Sequence, residues 1–182
     1  MQTEPYGATS ARLFFGLWPS TEVASALHKL SGGVVGRCGG RLLKPDSFHL
    51  TLAFLGDVPE RRMPELLELA AGIRLPQVTV RLDKLGYWKH NQILFAGSKA
   101  PAPELAAMAT TLQEKLLAAD FITEVRPLVP HVTLLRKILH PGALPEVGPF
   151  EWRAEELVLA RSWRSDRGAA YDGIERWPLT AA

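Results

Sequence analysis

The chain has 182 residues, of which 47% are hydrophobic and 22% charged, and its formal net charge at pH 7 is +2. This composition is typical of a globular protein and excludes a disordered, collagen-like or strongly charged chain. A single cysteine, Cys38, excludes an internal disulfide framework or a multi-cysteine zinc site and favours a reducing compartment. The N-terminus lacks the pattern of a secretory signal, and no apolar stretch approaches the roughly 18 residues of a membrane span. We therefore expect a cytoplasmic protein that does not cross a membrane.

Apolar runs of strand length alternate along the first half of the chain with apolar residues at helical spacing. The elements predicted there are, in chain order, a flexible tail over 1–10, a strand over 12–17, a helix capped by Ser20, a connector over 31–40, a short edge strand over 41–44, a strand over 48–55 and a helix over 64–71. Five glycines within residues 31–40 favour a flexible connector. The alternative, a phosphate-binding loop, lacks the lysine and the glycine spacing of the known motifs.

The second half of the chain predicts hairpins with one long helix between them. The predicted elements are a strand over 77–85, a turn over 86–91, a strand over 93–97, a helix over 103–119, a strand over 129–137, an irregular loop over 141–149 and a final hairpin over 157–162 and 170–175. Because hairpins are interspersed with helices, we expect an α+β fold with antiparallel sheets, in a single domain over 11–182.

One motif occurs twice, 82 residues apart: His49-Leu50-Thr51 and His131-Val132-Thr133. Both copies lie in apolar strand runs. Residues i and i+2 of a strand point to the same face, so each histidine shares a face with its threonine while the apolar neighbours take the other face. The polar faces are expected to meet water or a ligand, because burying unpaired imidazole and hydroxyl groups is costly.

Paired imidazoles suit general acid and base chemistry at a phosphorus centre. The pKa of histidine lies near 6.5, so both protonation states are available at neutral pH. Threonine hydroxyls can donate to the non-bridging phosphate oxygens as charge builds up. Neither copy has a further His, Cys or carboxylate at a ligand-like interval, so we expect no metal and no cofactor.

These motifs, in their order, resemble the two-histidine (2H) phosphoesterase superfamily, and within it the LigT-like RNA 2′,3′-cyclic phosphodiesterases, also called 2′-5′ RNA ligases. The resemblance covers residues 12–179. It lies in the opening strand over 12–17, in HLTLAFLG over 49–56, in PHVTLLR over 130–136, and in the closing hairpin with Gly168, Tyr171 and Trp177-Pro178-Leu179.

The resemblance implies two pseudo-symmetric lobes, each an antiparallel sheet with outer helices, and an active-site cleft between the sheets. It implies a metal-independent hydrolase that opens a 2′,3′-cyclic phosphate at an RNA or nucleotide end to a 2′-phosphate. His49 would be the general acid and His131 the general base. Thr51, Thr133 and Arg136 would bind the phosphate. The protein is expected to be a monomer.

Three other functions remain open. An RNA end ligase forming 2′-5′ linkages would use the same residues in the reverse direction. An enzyme for small cyclic nucleotides would use the same chemistry. A non-catalytic RNA-end binder would use the same cleft, although such a protein is expected to lack one of the two histidines or threonines, and all four are present.

Several further residues are weaker candidates. Arg136 stands five residues after His131, so strict alternation places it on the face opposite the histidine unless the strand bends near Leu135. The turn Trp88-Lys89-His90-Asn91 and the pair Trp163-Arg164 combine an aromatic ring with cationic groups and could contact RNA, but an exposed turn and a packed tryptophan are the commoner interpretations. Of Phe14 and Phe15, one is expected to line the cleft and the other to lie in the core.

Overall fold

The computed structural model describes residues 9–100, 102–165 and 168–181. Within these ranges there are ten strands and three α-helices. They are, in chain order, β1 (Ser10–Leu17), α1 (Thr21–Cys38), β2 (Arg41–Leu42), β3 (Leu50–Pro59), α2 (Met63–Gly72), β4 (Val78–Leu82), β5 (Lys84–Trp88), β6 (Ile93–Gly97), α3 (Pro103–Ala118), β7 (His131–Arg136), β8 (Phe150–Ala154), β9 (Glu156–Ser165) and β10 (Gly168–Pro178). Most of the tail predicted over 1–10 lies outside the described residues, and Ser10 already belongs to β1.

The strands form two four-stranded sheets and one two-stranded sheet. The first sheet has the order β10-β9-β1-β3, the second sheet has the order β2-β7-β6-β5, and β4 pairs with β8. The ladders between these strands are antiparallel. The predicted α+β class with antiparallel sheets is therefore confirmed. One copy of the repeated motif lies at the start of β3 in the first sheet and the other at the start of β7 in the second sheet.

The two long helices connect the sheets. Helix α1 follows β1 of the first sheet but packs against β2 and β7 of the second, and α3 follows β6 of the second sheet but packs against β3 of the first. Each helix buries an apolar face, for example Leu27 and Val34 of α1 and Leu105 and Leu112 of α3. Among the described residues, no helix combines the length and the apolar character that crossing a bilayer would require.

The connector predicted over 31–40 is wrong for most of its length. Helix α1 continues through Gly32, Gly33 and Gly36 and ends at Cys38. Ser31 and Val34 are buried on the same face as Leu27, and this tertiary packing outweighs the roughly 1 kcal/mol by which each glycine disfavours a helix relative to alanine. The residue that caps the helix after Cys38 is Gly39, whose φ of 65° only glycine adopts readily.

Several strand boundaries also differ from the prediction. The strand predicted over 77–85 is two strands in different sheets, β4 and β5, and the predicted turn over 86–91 is partly strand β5. The chain changes direction at Asp83, whose amide donates to the carbonyl of Gly97 and whose carboxylate accepts from the amide of Lys99. The sequence pattern does not predict strand β8. Strand β3 continues past Gly56 to Pro59, because Gly56, with φ 67°, accommodates an irregularity in the ladder with β1.

Candidate active site

A cleft of about 880 Å³ lies between the first and second sheets. The residues that the sequence singled out for chemistry all line it: His49, Thr51, His131, Thr133 and Arg136. The two motif copies, 82 residues apart in the chain, thus face one shared space.

The alternation expected of the two motifs is observed. Phe48, Leu50 and Leu52 are buried, whereas His49 and Thr51 are partly exposed to the cleft. Val132 and Leu134 are buried in the same way beside His131 and Thr133. In each copy the polar pair lines the cleft while the apolar residues contribute to the core.

Both imidazoles are oriented by the same local contact. Nδ1 of His49 lies 2.8 Å from the carbonyl oxygen of Ser47, and Nδ1 of His131 lies 2.7 Å from that of Val129. A carbonyl oxygen can only accept, so each Nδ1 carries the hydrogen and donates it. Nε2 of each ring is therefore the nitrogen that can accept or deliver a proton in the cleft.

A β-bulge explains how Arg136 reaches the same cleft. In the ladder between β6 and β7, Leu94 lies opposite Leu135 and Phe95 opposite Thr133, so Leu134 has no partner. Leu134 and Leu135 are consequently both buried, and the alternation after them is reversed. Strict alternation therefore does not hold to the end of β7: the strand is irregular next to Leu135, as Arg136 requires in order to reach the cleft, and Arg136 lies on the histidine face.

Strand β3 has a bulge at the equivalent place. Phe15 of β1 lies opposite Ala53 and Gly16 opposite Thr51, which leaves Leu52 unpaired. The residue that corresponds to Arg136, five positions after the first histidine, is Phe54, and it too lines the cleft. The two halves of the site therefore share a β-bulge. It brings the apolar ring of Phe54 to the cleft from β3 and the cation of Arg136 from β7.

Aromatic rings surround both histidines. The ring of His49 lies 4.7 Å from that of Phe14, 5.1 Å from Trp18 and 4.6 Å from Tyr171, between ring centres. The ring of His131 lies 4.6 Å from Trp88 in an edge-on arrangement. These rings exclude water from the imidazoles on the sides that do not face the cleft.

This environment disfavours the charged form of both imidazoles. Burial lowers the pKa of His49 to about 4, and the charges of His131 and Arg136 act in the same direction, while the hydrogen bond to Ser47 opposes them. Burial also lowers the pKa of His131, with the charges of Arg126 and Arg136 acting the same way and the bond to Val129 against it. A low-dielectric site disfavours the charged form of an imidazole.

Arg136 is held from one side. Its Nη2 donates to the hydroxyl oxygen of Tyr171 over 3.2 Å. Its Nε is buried and has no hydrogen-bond partner within the described part of the chain. Tyr171 belongs to β10 of the first sheet and Arg136 to β7 of the second, so this contact also joins the two walls of the cleft.

The structure also places the weaker candidates. Phe14 lines the cleft and Phe15 is fully buried, as expected of one inward and one outward ring. Trp88, Trp163 and Arg164 line the cleft as well.

Within residues 9–100, 102–165 and 168–181, no three metal-ligating side chains come together in one place.

Sequence reasoning missed some neighbours of the histidines. Trp18 follows β1 by one residue, and its indole nitrogen donates to the carbonyl of Asp46, which fixes the ring against His49. The sequence places Tyr171 in the closing hairpin but predicts no role for it. Nothing local in the sequence connects either residue with His49, since each contact joins distant parts of the chain.

Comparison with known proteins agrees with this site. A family model described as "LigT like Phosphoesterase" matches residues 17–95. The RNA 2′,3′-cyclic phosphodiesterase of Escherichia coli is 31% identical over 172 residues, which cover 93% of this chain and 97% of that protein. The protein of the same name from Thermus thermophilus is 32% identical over 182 residues, covering 92% of this chain and 90% of its own. The chain belongs to the LigT-like phosphoesterase family.

A solved structure extends the agreement to the fold. The crystal structure of E. coli LigT complexed with 3′-AMP has a TM-score of 0.84 to this protein at 30% sequence identity. The match covers 94% of this chain and 99% of that one. The E. coli LigT complex with phosphate covers the same shares, with a TM-score of 0.79.

Proposed function

We propose that this protein hydrolyses the 2′,3′-cyclic phosphodiester at the end of an RNA and leaves a 2′-phosphomonoester. The observation that supports this most strongly is that both His-x-Thr motifs line one cleft with each Nδ1 engaged by a backbone carbonyl. The names of the E. coli and T. thermophilus relatives support the substrate class.

The proposed reaction moves two protons. Nε2 of His131, neutral in the free cleft, takes a proton from a water molecule whose oxygen attacks phosphorus. As the bond from phosphorus to the 3′ oxygen breaks, the protonated Nε2 of His49 delivers its proton to that oxygen. Bulk water then restores the protonation states of both rings. Each transfer is general acid–base catalysis by a positioned imidazole.

The low pKa of His49 in the free cleft requires that substrate help to protonate it. A phosphodiester carries a negative charge, and an opposite charge within hydrogen-bonding distance favours the imidazolium. The substrate therefore raises the pKa of the residue proposed to act as its acid. The protonated form is then most populated where the substrate is bound.

The phosphate itself would be held by three side chains. The hydroxyls of Thr51 and Thr133 lie on the histidine faces of their strands and would donate to the non-bridging oxygens. The buried Nε of Arg136 has no protein acceptor among the described residues, and a buried guanidinium hydrogen without an acceptor is unfavourable. An anionic oxygen in the cleft would satisfy it.

The test uses an RNA oligomer ending in a 2′,3′-cyclic phosphate, with EDTA present throughout. We expect a 2′-monophosphate, identified by comparison with authentic 2′- and 3′-phosphate standards. His49→Ala and His131→Ala are each expected to lower kcat by about 10²–10⁴, the usual range for a positioned proton carrier. His140→Ala, an exposed histidine outside the cleft, is the matched control.

Three outcomes would count against the proposal. A 3′-phosphate product would contradict the assigned leaving group, and loss of turnover with EDTA would contradict a metal-independent reaction. A full rate in either histidine variant would remove that residue from its role. Adding an RNA with a free 5′ hydroxyl tests the ligase alternative, because joined 2′-5′ products would then accumulate.

A further inference from the structure

The cleft continues beyond the histidines along strands β1 and β9. Phe14 of β1 packs on His49, and Arg12, two residues earlier, points to the same face. Arg12 lies opposite Ser162 of β9 in the ladder, and Arg164 follows two residues further along that strand. Two residues of strand advance about 6.8 Å. Arg12 thus lies one two-residue step along the sheet from Phe14 and His49, and Arg164 lies two such steps from them. The end of the cleft at His49 is called the catalytic end below.

Among the described residues, neither guanidinium group forms an ion pair, and no carboxylate lies within ion-pair distance of Arg12 or Arg164. Glu124, which also lines the cleft, is paired with Arg126 at 2.7 Å. Asp57 is the ladder partner of Arg12 but does not reach it.

Aromatic rings accompany these cations. The guanidinium carbon of Arg12 lies 4.7 Å from the ring centre of Phe54. Trp163, which precedes Arg164 and also lines the cleft, leaves 44% of its surface exposed. Proteins that bind single-stranded nucleic acid without sequence preference use grooves that combine cationic groups with exposed aromatic rings.

From this arrangement we infer that the cleft is a track for the upstream nucleotides of an RNA strand. Arg12 binds the phosphate that precedes the terminal nucleotide, Arg164 binds the next one, and Trp163 offers a face to a base. This rests on the proposed function. What it adds is the assignment of Arg12 and Arg164 to the two phosphates upstream of the RNA end, and with it a preference for an oligonucleotide over a mononucleotide, which occupies only the catalytic end.

The experiment compares kcat/KM for adenosine 2′,3′-cyclic phosphate with kcat/KM for the trinucleotide ApApA ending in a 2′,3′-cyclic phosphate. The unaltered protein is expected to prefer the trinucleotide. Arg164→Gln is expected to lower this preference about 5-fold, the effect of one exposed ion pair worth about 1 kcal/mol. The salt dependence of the trinucleotide reaction should also become shallower, by about 0.7 in the logarithmic slope.

Arg161→Gln is the matched control. Arg161 lies on the same strand, three residues before Arg164, is paired with Glu60 at 3.5 Å, and does not line the cleft. It removes the same charge from the molecule, so we expect the trinucleotide preference to be retained. If Arg161→Gln and Arg164→Gln lower the trinucleotide preference equally, the effect is a general electrostatic one and the proposed track is wrong.

A binding measurement separates the failure of the track from the failure of the proposed function. Fluorescence anisotropy follows binding of a labelled ApApA that ends in a 2′-phosphate, the expected product. If neither substrate is hydrolysed but Arg164→Gln weakens this binding and Arg161→Gln does not, the proposed reaction is wrong and the track stands. If both substrates are hydrolysed and the preference is the same in all three proteins, the reaction stands and the track is wrong.

Discussion

His49 and His131 share a local geometry but not an environment. Each donates from Nδ1 to the carbonyl two residues before it, so their tautomers are fixed in the same way. His49 is in contact with the rings of Phe14, Trp18 and Tyr171, whereas His131 has those of Trp88 and Phe95. The additional burial accounts for the pKa of His49 falling to about 4.

The lowered pKa values predict how activity depends on pH. The reactive form of the proposed enzyme carries one proton on the histidine pair, so kcat/KM, which reports the free enzyme, should be bell-shaped. Because both pKa values lie below 6.5, with that of His49 at about 4, we expect the maximum between about pH 4 and 6.5. The profile of kcat should be displaced to higher pH, since bound phosphodiester favours the imidazolium forms.

Initial rates on the cyclic-phosphate RNA, below KM and at saturation, between pH 3.5 and 9, provide both profiles. Enzyme held at each pH and returned to neutral pH before assay shows whether unfolding contributes to the acidic limb. If the pH profiles of kcat and kcat/KM coincide, or if kcat/KM falls on the basic side only well above pH 6.5, the imidazoles are not held neutral in the free cleft and the prediction is wrong.

At the level of single residues, the sequence predicts much of the candidate site but not all of it. Alternation alone places His49 with Thr51 and His131 with Thr133, because those pairs precede any irregularity in their strands. Arg136 comes after the bulge at Leu134, and counting residues in a strand cannot reveal a bulge.

Among the elements, α1 is the clearest disagreement with local propensity. Its last two turns include Gly32, Gly33 and Gly36, and the sequence pattern there favours a connector. The helix persists because Val34 is buried among the apolar side chains beneath it, and such contacts cannot be read from propensity. The missed strand β8 is similar, since a five-residue strand paired only with β4 has little local signal.

The helical glycines offer a stability prediction. A methyl group added at Gly33 or Gly36 meets no atom within 4 Å, and both positions have helical backbone. Gly33→Ala and Gly36→Ala should therefore each raise the free energy of unfolding by about 0.5–1 kcal/mol. In a chain of this size that corresponds to an increase of about 1–4 °C in Tm, measured by thermal unfolding.

Gly39→Ala is the contrasting variant. Space is also available there, but the φ of 65° is strained for alanine by about 1–2 kcal/mol, so Tm should fall. Stabilisation of all three variants alike, or of none, would mean that residues 31–38 are not held as helix in solution.

For the molecule as a whole, the cleft depends on contacts that cross between the sheets. Helices α1 and α3 each start from one sheet and pack against the other, and Arg136 of the second sheet donates to Tyr171 of the first. The class of fold follows from the order of hairpins and helices in the sequence. The crossing of the helices does not, because it depends on which apolar faces fit together in three dimensions.

This architecture lowers the pKa of two imidazoles, and the free energy of unfolding therefore depends on pH. Their pKa values are lower in the folded protein than in the unfolded chain, where they are near 6.5. Below pH 6.5 the unfolded chain binds protons that the folded protein does not, so the free energy of unfolding should decrease as pH falls from 6.5 towards 4. Charged groups near the imidazoles strengthen this effect: His131 and Arg136 act on His49, and Arg126 and Arg136 act on His131.

Urea unfolding at half-unit intervals between pH 7 and 4.5 measures the decrease. The double variant His49→Asn, His131→Asn should show a flatter dependence, because asparagine binds no proton in either state. Carboxylates with lowered pKa values, such as Asp83 and Glu65, lose their contribution mainly below this range and do so equally in both proteins. Equal slopes in the two proteins would mean that the folded cleft accepts protons as readily as the unfolded chain, and neither imidazole would then be held neutral by burial.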